Sequence, residues 1–335
     1  MSVKHSRSCI IAGSSHVELA RQVSKLAKIP MIETEMEYFA NGEIRPIIRE
    51  SVRDKDVYLI QSGYGGEGSS HSVNDFIIET VLLIKTLKRS DAGRINLVLP
   101  FFPYSRQDKK DNKRGAISAR DIADMFESAG VHRVITIDLH AQQIQGFFNI
   151  PCDNLYTAHL IKDYFDKHLF KKSYKDKFAL VAPDEGALKR MREYAGMFGL
   201  PLFVLSKERD YRKKNEVEKT VLIGEGGSLS GRTAIVIDDM IDTFGTIAKA
   251  SELLQAHGAE RVIVAATHGL LSGPAIERIN GSPAIDMVLV SDTIPQHVHA
   301  SRSKKIHVYP VGPMLAEAVQ HLERGKSLPS LYVRW

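Results

Sequence analysis

"IVIDDMIDTFGT", residues 235–246, combines an apolar run with three carboxylates, two threonine hydroxyls and a glycine, and a helix-like pattern follows it. A turn rich in Thr and Gly at a helix N-terminus suits a phosphate, because backbone N–H groups point outward there. Three carboxylates beside the turn would repel that phosphate. The ligand of this segment must therefore satisfy both kinds of group.

Short β-branched apolar runs alternate with longer amphipathic stretches along the rest of the chain. This alternation predicts an α/β fold with parallel sheets covered by helices on both faces. Strands are predicted at 57–61, 95–99, 133–138, 178–182, 202–205, 233–238, 261–266, 287–290 and 306–309. Helices are predicted at 16–27, 74–88, 118–128, 157–168, 186–194, 246–257 and 314–322.

Length and composition indicate an ordinary globular protein of two domains. The chain has 335 residues, 43% hydrophobic and 25% charged, with two cysteines and a net charge of +5. This mild basicity favours small anionic substrates over a nucleic-acid surface. Two cysteines suit a reducing compartment, and no apolar stretch approaches the ~20 residues of a membrane span. We expect a cytoplasmic protein without a nucleic-acid or membrane partner.

Two segments resemble each other, "VITIDLHAQQIQGFF" and "AIVIDDMIDTFGTI". Each is predicted to be a strand that ends in Asp and opens a polar loop, and they lie in different halves of the chain. Two α/β domains of similar build, joined near residues 154–162, would explain this. Ligands of open α/β sheets bind beyond the carboxyl ends of the strands, where both acidic loops would lie.

Two glycine motifs point to nucleotide binding but fail when their context is examined. Gly63, Gly65 and Gly68 match a dinucleotide fingerprint, which also requires an acid at the end of the next strand. That strand ends "LVLPFFP", so a flexible surface loop is the preferred interpretation. "GKS" at 325–327 lacks the first glycine of a P-loop, since Gln320 stands there, and follows a predicted helix.

Two further stretches carry candidate chemistry at strand ends. In "PFFPYSRQDKKDNKRGAIS", residues 100–118, Arg106 and Gln107 follow an aromatic turn that can stack a base and clamp phosphates. A solvated charge run is the alternative. "DLH", residues 138–140, offers a carboxylate and an imidazole to a divalent cation, although a structural histidine is the commoner occurrence.

These motifs occur in an order that resembles the ribose-phosphate pyrophosphokinases, or phosphoribosyl pyrophosphate (PRPP) synthetases. The resemblance spans nearly the whole chain and includes "FANGE", "FFPYSRQDKKDNKRGAISA", "DLHAQQIQGFFNIPCDNLY", "PDEGALKR", "DDMIDTFGT" and "THGLLSGPAIERI". It implies transfer of the diphosphoryl group of MgATP to the C1 hydroxyl of ribose 5-phosphate. It also implies two tandem type I phosphoribosyltransferase-like domains, at 1–158 and 159–335, with the last segment packing back on the first domain.

The resemblance assigns the opening segment to ribose 5-phosphate. Asp238 and Asp239 would accept hydrogen bonds from the ribose hydroxyls. The turn would wrap the 5-phosphate with backbone N–H groups and hydroxyls. Its members are Asp242, Thr243, Phe244, Gly245 and Thr246. Acids at the sugar end and donors at the phosphate end satisfy one ligand, although a φ above zero at Phe244 would strain that residue.

The resemblance also implies an ATP site between domains and between subunits of a dimer, with dimers built up to hexamers. Its nucleotide contacts would be Phe39, Asn41 and Glu43 from a neighbouring chain, with Arg106, Gln107 and Asp111. Mg²⁺ would be held by His140 and Asp184, with Asp138 in support. Lys207 and Arg209 would stabilise the charge on the transferred group.

Other residues concern regulation and departures from the family pattern. A regulatory anion site would draw on Ser51, Arg53, Lys110, Arg114 and Ser327. Departures are Asn149, Glu185, Phe244, a long glycine loop and two extra residues between "KER" and "NEV". They leave open a catalytically weak regulatory paralogue. A phosphoribosyltransferase would not need the ATP elements, and an NAD oxidoreductase lacks its ribose acid.

Overall fold

The structure is a computed structural model that describes residues 7–66, 68–69, 71–110, 112–171, 173–208, 219–225 and 227–328. These residues form two compact units. Unit 1 comprises the chain up to Tyr156, Asp292–Pro295, and the described residues from Pro310 onward. Unit 2 comprises Thr157–Ser291 and Gln296–Tyr309, less the residues outside the description.

The elements follow each other in a mainly alternating order. The strands are β1 (Ser8–Ala12), β2 (Met31–Ile32), β3 (Thr34–Tyr38), β4 (Ile44–Ile48), β5 (Asp56–Ile60), β6 (Arg94–Leu99), β7 (Arg133–Ile137), β8 (Cys152–Leu155), β9 (Phe178–Ala182), β10 (Leu202–Glu208), β11 (Lys219–Glu225), β12 (Thr233–Ile241), β13 (Arg261–Gly269), β14 (Ile285–Ser291) and β15 (Ile306–Tyr309). The α-helices are α1 (Val17–Ala27), α2 (Val73–Arg89), α3 (Ser118–Ala129), α4 (Ala158–His168), α5 (Leu188–Phe198), α6 (Gly245–Ala256), α7 (Ala275–Gly281), α8 (His297–Arg302) and α9 (Gly312–Glu323).

Unit 1 is built on a six-stranded parallel sheet in the order β2-β1-β5-β6-β7-β8. All five residues of β1 are buried, as expected for a strand covered on both faces. Strands β3 and β4 form a separate antiparallel hairpin. The last helix, α9, packs against α1, and a Cβ on Gly312 would lie 2.2 Å from Oε1 of Gln22. Glycine at this position therefore permits the close approach of the two helices.

Unit 2 is built on a seven-stranded sheet in the order β11-β10-β9-β12-β13-β14-β15. All neighbours are parallel except β10 and β11, which pair antiparallel at one edge. Its core holds the apolar side chains of β12, β13 and α6, including Val236, Val264 and Leu254. The sheet places the carboxyl ends of β9, β10 and β12 on the same edge.

The structure contains every strand and helix that the sequence predicts, with shifts at their ends. One shift matters for the site, because β12 does not end at Asp238. It continues to Ile241, since Met240 and Ile241 pair with His268 and Gly269 of β13. The elements that the sequence does not predict are β1, β2, the β3–β4 hairpin, β8, β11, α7 and α8.

Apart from the extra edge strand β11, both sheets share one strand order. The second strand pairs on one side of the first, and the later strands follow in chain order on its other side. Under this equivalence β12 corresponds to β5, whereas β7 corresponds to β14. The resemblance between "VITIDLH" and "AIVIDDM" therefore does not connect equivalent strands, although the two units of similar build that it predicts are present. The counterpart of the Asp238–Thr246 segment in unit 1 is the glycine loop after β5.

The first part of the glycine loop is buried, unlike the surface loop that we expected. Gly63 and Tyr64 are buried, and a Cβ on Gly63 would lie 2.5 Å from Cδ of Pro103. A Cβ on Gly65 would lie 2.2 Å from the backbone nitrogen of Val73. These glycines permit close packing of the loop against its neighbours, which explains why they occur without the acid of a dinucleotide site.

The described helices include none that is both long enough and apolar enough to span a membrane.

Candidate functional site

Asp238 and Asp239, here called the acidic pair, lie near the carboxyl end of β12. Asp238 stands opposite Ala266 of β13, and the backbone N–H of Asp239 donates a 2.9 Å hydrogen bond to Oδ1 of Asp238. The side chain of Asp239 is 8% exposed and that of Asp238 is 34% exposed. Burial, and then the charge of Asp239, raises the pKa of Asp238 to about 6.

Arg190, to which the sequence alone assigns no role, completes this arrangement. Nη1 of Arg190 lies 2.9 Å from Oδ1 of Asp239, and the same nitrogen forms an ion pair with Oδ1 of Asp238. The residue comes from the first turn of α5. Burial acts to lower the pKa of Arg190, but the two carboxylates outweigh it and keep the guanidinium charged.

The turn after β12 adopts a conformation that is unusual for its sequence. Phe244 is the N-cap of α6 with φ 61° and ψ 8°, which is left-handed backbone. Its side chain is only 2% exposed and belongs to the core cluster that also contains Ile241 and Leu271. The ring therefore points away from the turn, and burial holds a conformation that is unfavourable for phenylalanine.

The first turn of α6 presents its backbone donors without a side-chain cap from any described residue. The equivalent helix of unit 1, α2, has a capping box in which Ser72 and Asp75 bond each other's backbone N–H groups. The open N–H groups of α6 suit an anion. The positions of Thr243, Gly245 and Thr246 at this turn agree with an anion-binding site.

Arg278 of α7 also lies at this turn and was not assigned from the sequence. Its Nη1 donates a 2.6 Å hydrogen bond to the carbonyl oxygen of Thr243. The same nitrogen would lie 3.1 Å from a Cβ on Gly245. Glycine at 245 therefore leaves room for a guanidinium beside the turn, which adds positive charge to it.

A second loop at the same edge of the sheet follows β9. Asp184 is exposed, and its Oδ1 accepts a 2.9 Å hydrogen bond from the backbone N–H of Ala187. Glu185 accepts a 2.8 Å bond from the hydroxyl of Ser206 on β10. Lys207 follows Ser206 in the backbone of β10, whereas the Lys207 side chain and all of Arg209 lie outside the described residues.

In unit 1, "DLH" forms a tight turn at the end of β7. Asp138 has φ 42°, and the backbone N–H of Leu139 donates a 3.1 Å bond to Oδ1 of Asn154. Asp138 is partly buried, and His140 is exposed beyond the strand end. The turn thus presents an imidazole at the carboxyl edge of the sheet.

The residues after the aromatic turn occupy an exposed loop that leads into α3. Arg106 and Gln107 are exposed, and Oε1 of Gln107 accepts a 2.7 Å bond from the hydroxyl of Ser118. Asp108 accepts a 2.7 Å bond from Nε2 of Gln143, which joins this loop to the segment after "DLH". Asp111 lies outside the described residues.

"FANGE" forms the tip of the β3–β4 hairpin. The backbone N–H of Phe39 donates to the carbonyl oxygen of Glu43 over 2.9 Å, and Oδ1 of Asn41 accepts from the N–H of Glu43 over 3.2 Å. The side chain of Phe39 is 47% exposed, with Cζ of Arg45 5.3 Å from its ring centre. The hairpin therefore presents an aromatic ring to its surroundings.

The remaining predicted residues are exposed in unit 1. Nη1 of Arg53 lies 3.5 Å from Oδ2 of Asp91, and the N–H of Arg53 lies 3.4 Å from Oγ of Ser51. Lys110, Arg114 and Ser327 are also exposed. The contacts seen among the described residues do not join all five into one site, so their regulatory assignment stays a prediction.

Asn149, a departure from the family pattern, has a local explanation. Its backbone N–H and its Nδ2 donate to the two carboxylate oxygens of Glu127 over 2.9 and 3.1 Å. A carboxylate at 149 would repel Glu127. The amide therefore suits this surface of α3.

The donor groups fit magnesium only as an ion that arrives with a nucleotide. In the described parts of the chain, no three His, Cys, Asp or Glu side chains lie close enough to hold a metal ion. Mg²⁺ commonly uses one or two protein ligands together with phosphate oxygens and water. His140 and Asp184 are exposed groups of this kind, whereas a closed protein cage for a metal is absent from the described residues.

Taken together, these features define an α/β protein with an acidic pair next to an anion-binding helix N-terminus. Comparisons with known proteins make this class specific. The family model of the N-terminal domain of ribose phosphate pyrophosphokinase matches residues 8–130, and that of the phosphoribosyl synthetase-associated domain matches residues 206–333.

Curated relatives and a solved structure agree. The chain is 41% identical to a ribose-phosphate pyrophosphokinase of Helicobacter hepaticus, over 96% of this chain and 98% of that protein. It is 39% identical to ribose-phosphate pyrophosphokinase 4 of Saccharomyces cerevisiae, over 96% and 94%. The crystal structure of phosphoribosylpyrophosphate synthetase from Mycobacterium smegmatis has a TM-score of 0.83 at 36% identity, over 95% of this chain and 99% of that one.

The chain belongs to the ribose-phosphate pyrophosphokinase family. The predicted fold class, with two phosphoribosyltransferase-like domains, and the predicted enzyme class are confirmed. The individual site residues stay predictions, to which Arg190 and Arg278 are added from the geometry.

Proposed function

We propose that the chain transfers the diphosphoryl group of MgATP to the C1 hydroxyl of ribose 5-phosphate, with PRPP and AMP as products. One observation supports the assignment of ribose 5-phosphate to residues 235–246. The acidic pair lies on β12, and a short loop leads from this strand to the N-terminus of α6. That N-terminus has no side-chain cap from the described residues. A sugar phosphate matches this order, with hydroxyls at one end and an anion at the other.

The sugar end of the substrate would contact the acidic pair. Carboxylates accept hydrogen bonds from hydroxyl groups, and Asp238 and Asp239 are adjacent at the carboxyl end of β12. The 5-phosphate would bind the turn from Asp242 to Thr246 through backbone N–H groups and the two threonine hydroxyls. The open first turn of α6 supports this orientation over the reverse one.

The ATP end would use residues from unit 1 and the strand that contains Lys207. We assign contacts with the adenine base to Phe39, Asn41 and Glu43. Further contacts with ATP are assigned to Arg106, Gln107 and Asp111. The exposed Phe39 ring supports the first assignment. Lys207 and Arg209 would stabilise negative charge on the transferred group, since phosphoryl transfer depends mainly on positioning and on cations.

The bound nucleotide would carry Mg²⁺, which neutralises phosphate charge during transfer. We assign its protein contacts to His140 and Asp184, with Asp138 in support. His140 is exposed at the end of β7, and Asp184 is exposed in the loop after β9. Their exposure supports contact with an ion that enters together with a substrate.

We further propose that the chain assembles as dimers, which combine into hexamers. The hairpin that carries "FANGE" presents an exposed aromatic tip, which suits a contact with a neighbouring chain. Sedimentation velocity across a dilution series, with activity measured at each concentration, tests this proposal. A fully active monomer at high dilution would rule it out.

The reaction itself is tested with MgATP and ribose 5-phosphate, by following AMP chromatographically and PRPP by phosphorus NMR. Both products should form in equal amounts. Lys207→Ala should lower kcat at least about a hundredfold, as expected for loss of a charge-stabilising group. Lys304→Ala, a change at an exposed lysine of unit 2, is the matched control and should keep kcat. Absence of PRPP with the unmodified chain would refute the proposed reaction.

A further inference from the structure

Arg190 joins the two members of the acidic pair. Its Nη1 lies 2.9 Å from Oδ1 of Asp239 and also forms an ion pair with Oδ1 of Asp238. The arginine side chain is 24% exposed, so most of it is removed from water. A single guanidinium nitrogen therefore lies between both carboxylates.

Strand geometry alone does not bring these carboxylates together. Neighbouring residues of a β-strand direct their side chains to opposite faces. Here the Oδ1 atoms of Asp238 and Asp239 both reach one nitrogen of Arg190, and the N–H of Asp239 donates to Oδ1 of Asp238 over 2.9 Å. The arginine and this backbone N–H hold the pair in a shared position.

The charge of Arg190 also favours the ionised form of the pair. Two adjacent carboxylates removed from water repel each other, and one of them tends to keep a proton. Burial and Asp239 raise the pKa of Asp238, while Arg190 acts in the opposite direction. The strands beside β12 contribute the buried His268 from β13 and only apolar side chains from β9.

We propose that Arg190 is a positioning residue for the sugar, which holds Asp238 and Asp239 together and ionised so that each accepts a hydrogen bond from one hydroxyl of a vicinal diol. This inference rests on the proposed function, because ribose 5-phosphate supplies the diol. A carboxylate can accept about four hydrogen bonds. A carboxylate that is bonded to Arg190 thus keeps acceptor capacity for a hydroxyl.

In the alternative role, the guanidinium of Arg190 competes with the sugar hydroxyls for the two carboxylates. In that case the guanidinium would occupy the site in the absence of substrate and would have to leave it when the diol binds. The two roles predict opposite changes in substrate affinity. A positioning arginine strengthens binding of the diol, whereas a competing arginine weakens it.

The experiment compares the unmodified enzyme with Arg190→Gln, Arg190→Lys and Arg192→Gln. Arg192 is an exposed arginine on the same helix and provides the matched control. Steady-state kinetics give kcat and the KM values for ribose 5-phosphate and ATP. Calorimetric titration with ribose 5-phosphate gives its Kd without turnover, so the inference can be judged separately from the proposed reaction.

We expect Arg190→Gln to raise the KM and Kd for ribose 5-phosphate at least about tenfold, as for loss of a hydrogen bond to a charged group. The kcat should fall less than about threefold and the KM for ATP should stay within about twofold, whereas a general loss of folded enzyme would lower kcat at unchanged KM. Arg190→Lys, which keeps the charge, should stay within about threefold, and Arg192→Gln should match the unmodified enzyme.

An unchanged or lower Kd for ribose 5-phosphate in Arg190→Gln would overturn the proposal, and a lower value would establish competition. Equal losses of ribose 5-phosphate affinity in Arg190→Lys and Arg190→Gln would also overturn the proposal. A positive charge at residue 190 would then not be enough to maintain binding. If Arg190→Gln does not fold, which a thermal melt reveals, Arg190→Lys decides alone. A rise of more than about tenfold in its Kd would then contradict the proposal.

Discussion

The hydroxyl of Ser206 donates a 2.8 Å hydrogen bond to Oε1 of Glu185. This bond connects the loop after β9 with the residue that precedes Lys207 on β10. Glu185 departs from the pattern of the family and follows Asp184 in the chain. In the structure its carboxylate accepts this hydrogen bond from a neighbouring strand.

Replacing either partner should give the same effect as replacing both. Glu185→Ala and Ser206→Ala should each lower the free energy of unfolding by about 0.5–1 kcal/mol, and the double variant should lose no more than a single one. Denaturant unfolding of the four proteins closes this double-mutant cycle. Glu252→Ala, at an exposed position of α6, is a control that should combine additively with Ser206→Ala. Additive losses for Glu185 and Ser206 would show that the bond is not coupled.

Phe244 leads to a second prediction. Its left-handed backbone favours glycine, whereas its buried position in the core favours a large apolar side chain. Phe244→Ala should lower the free energy of unfolding by about 3–5 kcal/mol through loss of a buried ring. Phe244→Gly should be more stable than Phe244→Ala by about 0.5–1 kcal/mol, since glycine adopts φ 61° without strain. Thermal unfolding of both variants measures this order.

Phe165 provides the control for this comparison. It is fully buried in helix α4, where glycine is less favourable than alanine by about 1 kcal/mol. Phe165→Gly should therefore be less stable than Phe165→Ala, which is the reverse of the order at 244. The same order at both positions would mean that the left-handed conformation at Phe244 has no measurable cost.

The sequence predicts much of the fold because the parallel strands are short apolar runs between amphipathic helices. It does not predict the β3–β4 hairpin, whose short strands, TEMEY and IRPII, lack a regular alternation of polar and apolar residues and pair outside the main sheets. The similar strands before Asp138 and Asp238 occupy different positions in their two sheets. Local similarity reports how a strand ends, whereas the position of a strand in the sheet depends on pairing with distant segments.

The candidate site is predictable to the extent that its residues are neighbours in the chain. The acidic pair and the phosphate turn form one continuous motif, which makes them recognisable. Arg190 and Arg278 come from α5 and α7, and only folding brings them to β12 and its turn. The arginine that ends "PDEGALKR" is the single sequence signal that pointed toward the first of them.

A third prediction concerns the rings of Tyr38 and His71, which are stacked with their centres 4.3 Å apart. Tyr38 ends β3 and precedes Phe39, the proposed adenine contact, so this stacking would help to place Phe39. A two-stranded ribbon is marginally stable on its own, so side-chain contacts must hold it. His71→Ala should raise the KM for ATP about two- to tenfold, which is the value of one aromatic pair. Steady-state kinetics with each substrate varied in turn measure this change.

His71→Phe keeps an aromatic ring and should keep the KM for ATP near that of the unmodified enzyme. The KM for ribose 5-phosphate should not change in either variant, because its proposed site lies in unit 2. An equal rise in the KM of both substrates would mean that His71 supports the fold in general, and would contradict a specific role in placing Phe39.

A fourth prediction concerns Asp292, whose Oδ1 accepts a 2.6 Å hydrogen bond from the backbone N–H of Val311. Burial raises the pKa of the Asp292 carboxyl to about 6, well above its ordinary value of 3.8. The folded protein thus holds this proton more tightly than the unfolded chain does. The resulting stabilisation is complete below pH 3.8 and is lost as the pH rises through about 6.

Asp292→Asn removes this dependence while its side-chain oxygen can still accept from Val311. The variant should match the unmodified protein near pH 4 and exceed it at pH 7.5, by at most about 3 kcal/mol for a shift of about two pKa units. Calorimetric melting temperatures from pH 4 to 7.5 measure the difference between the two proteins. Asp286→Asn, at an exposed aspartate of β14, should show no such pH-dependent gain. A gain that is equal at all pH values would show that the ionised carboxylate of Asp292 does not destabilise the fold.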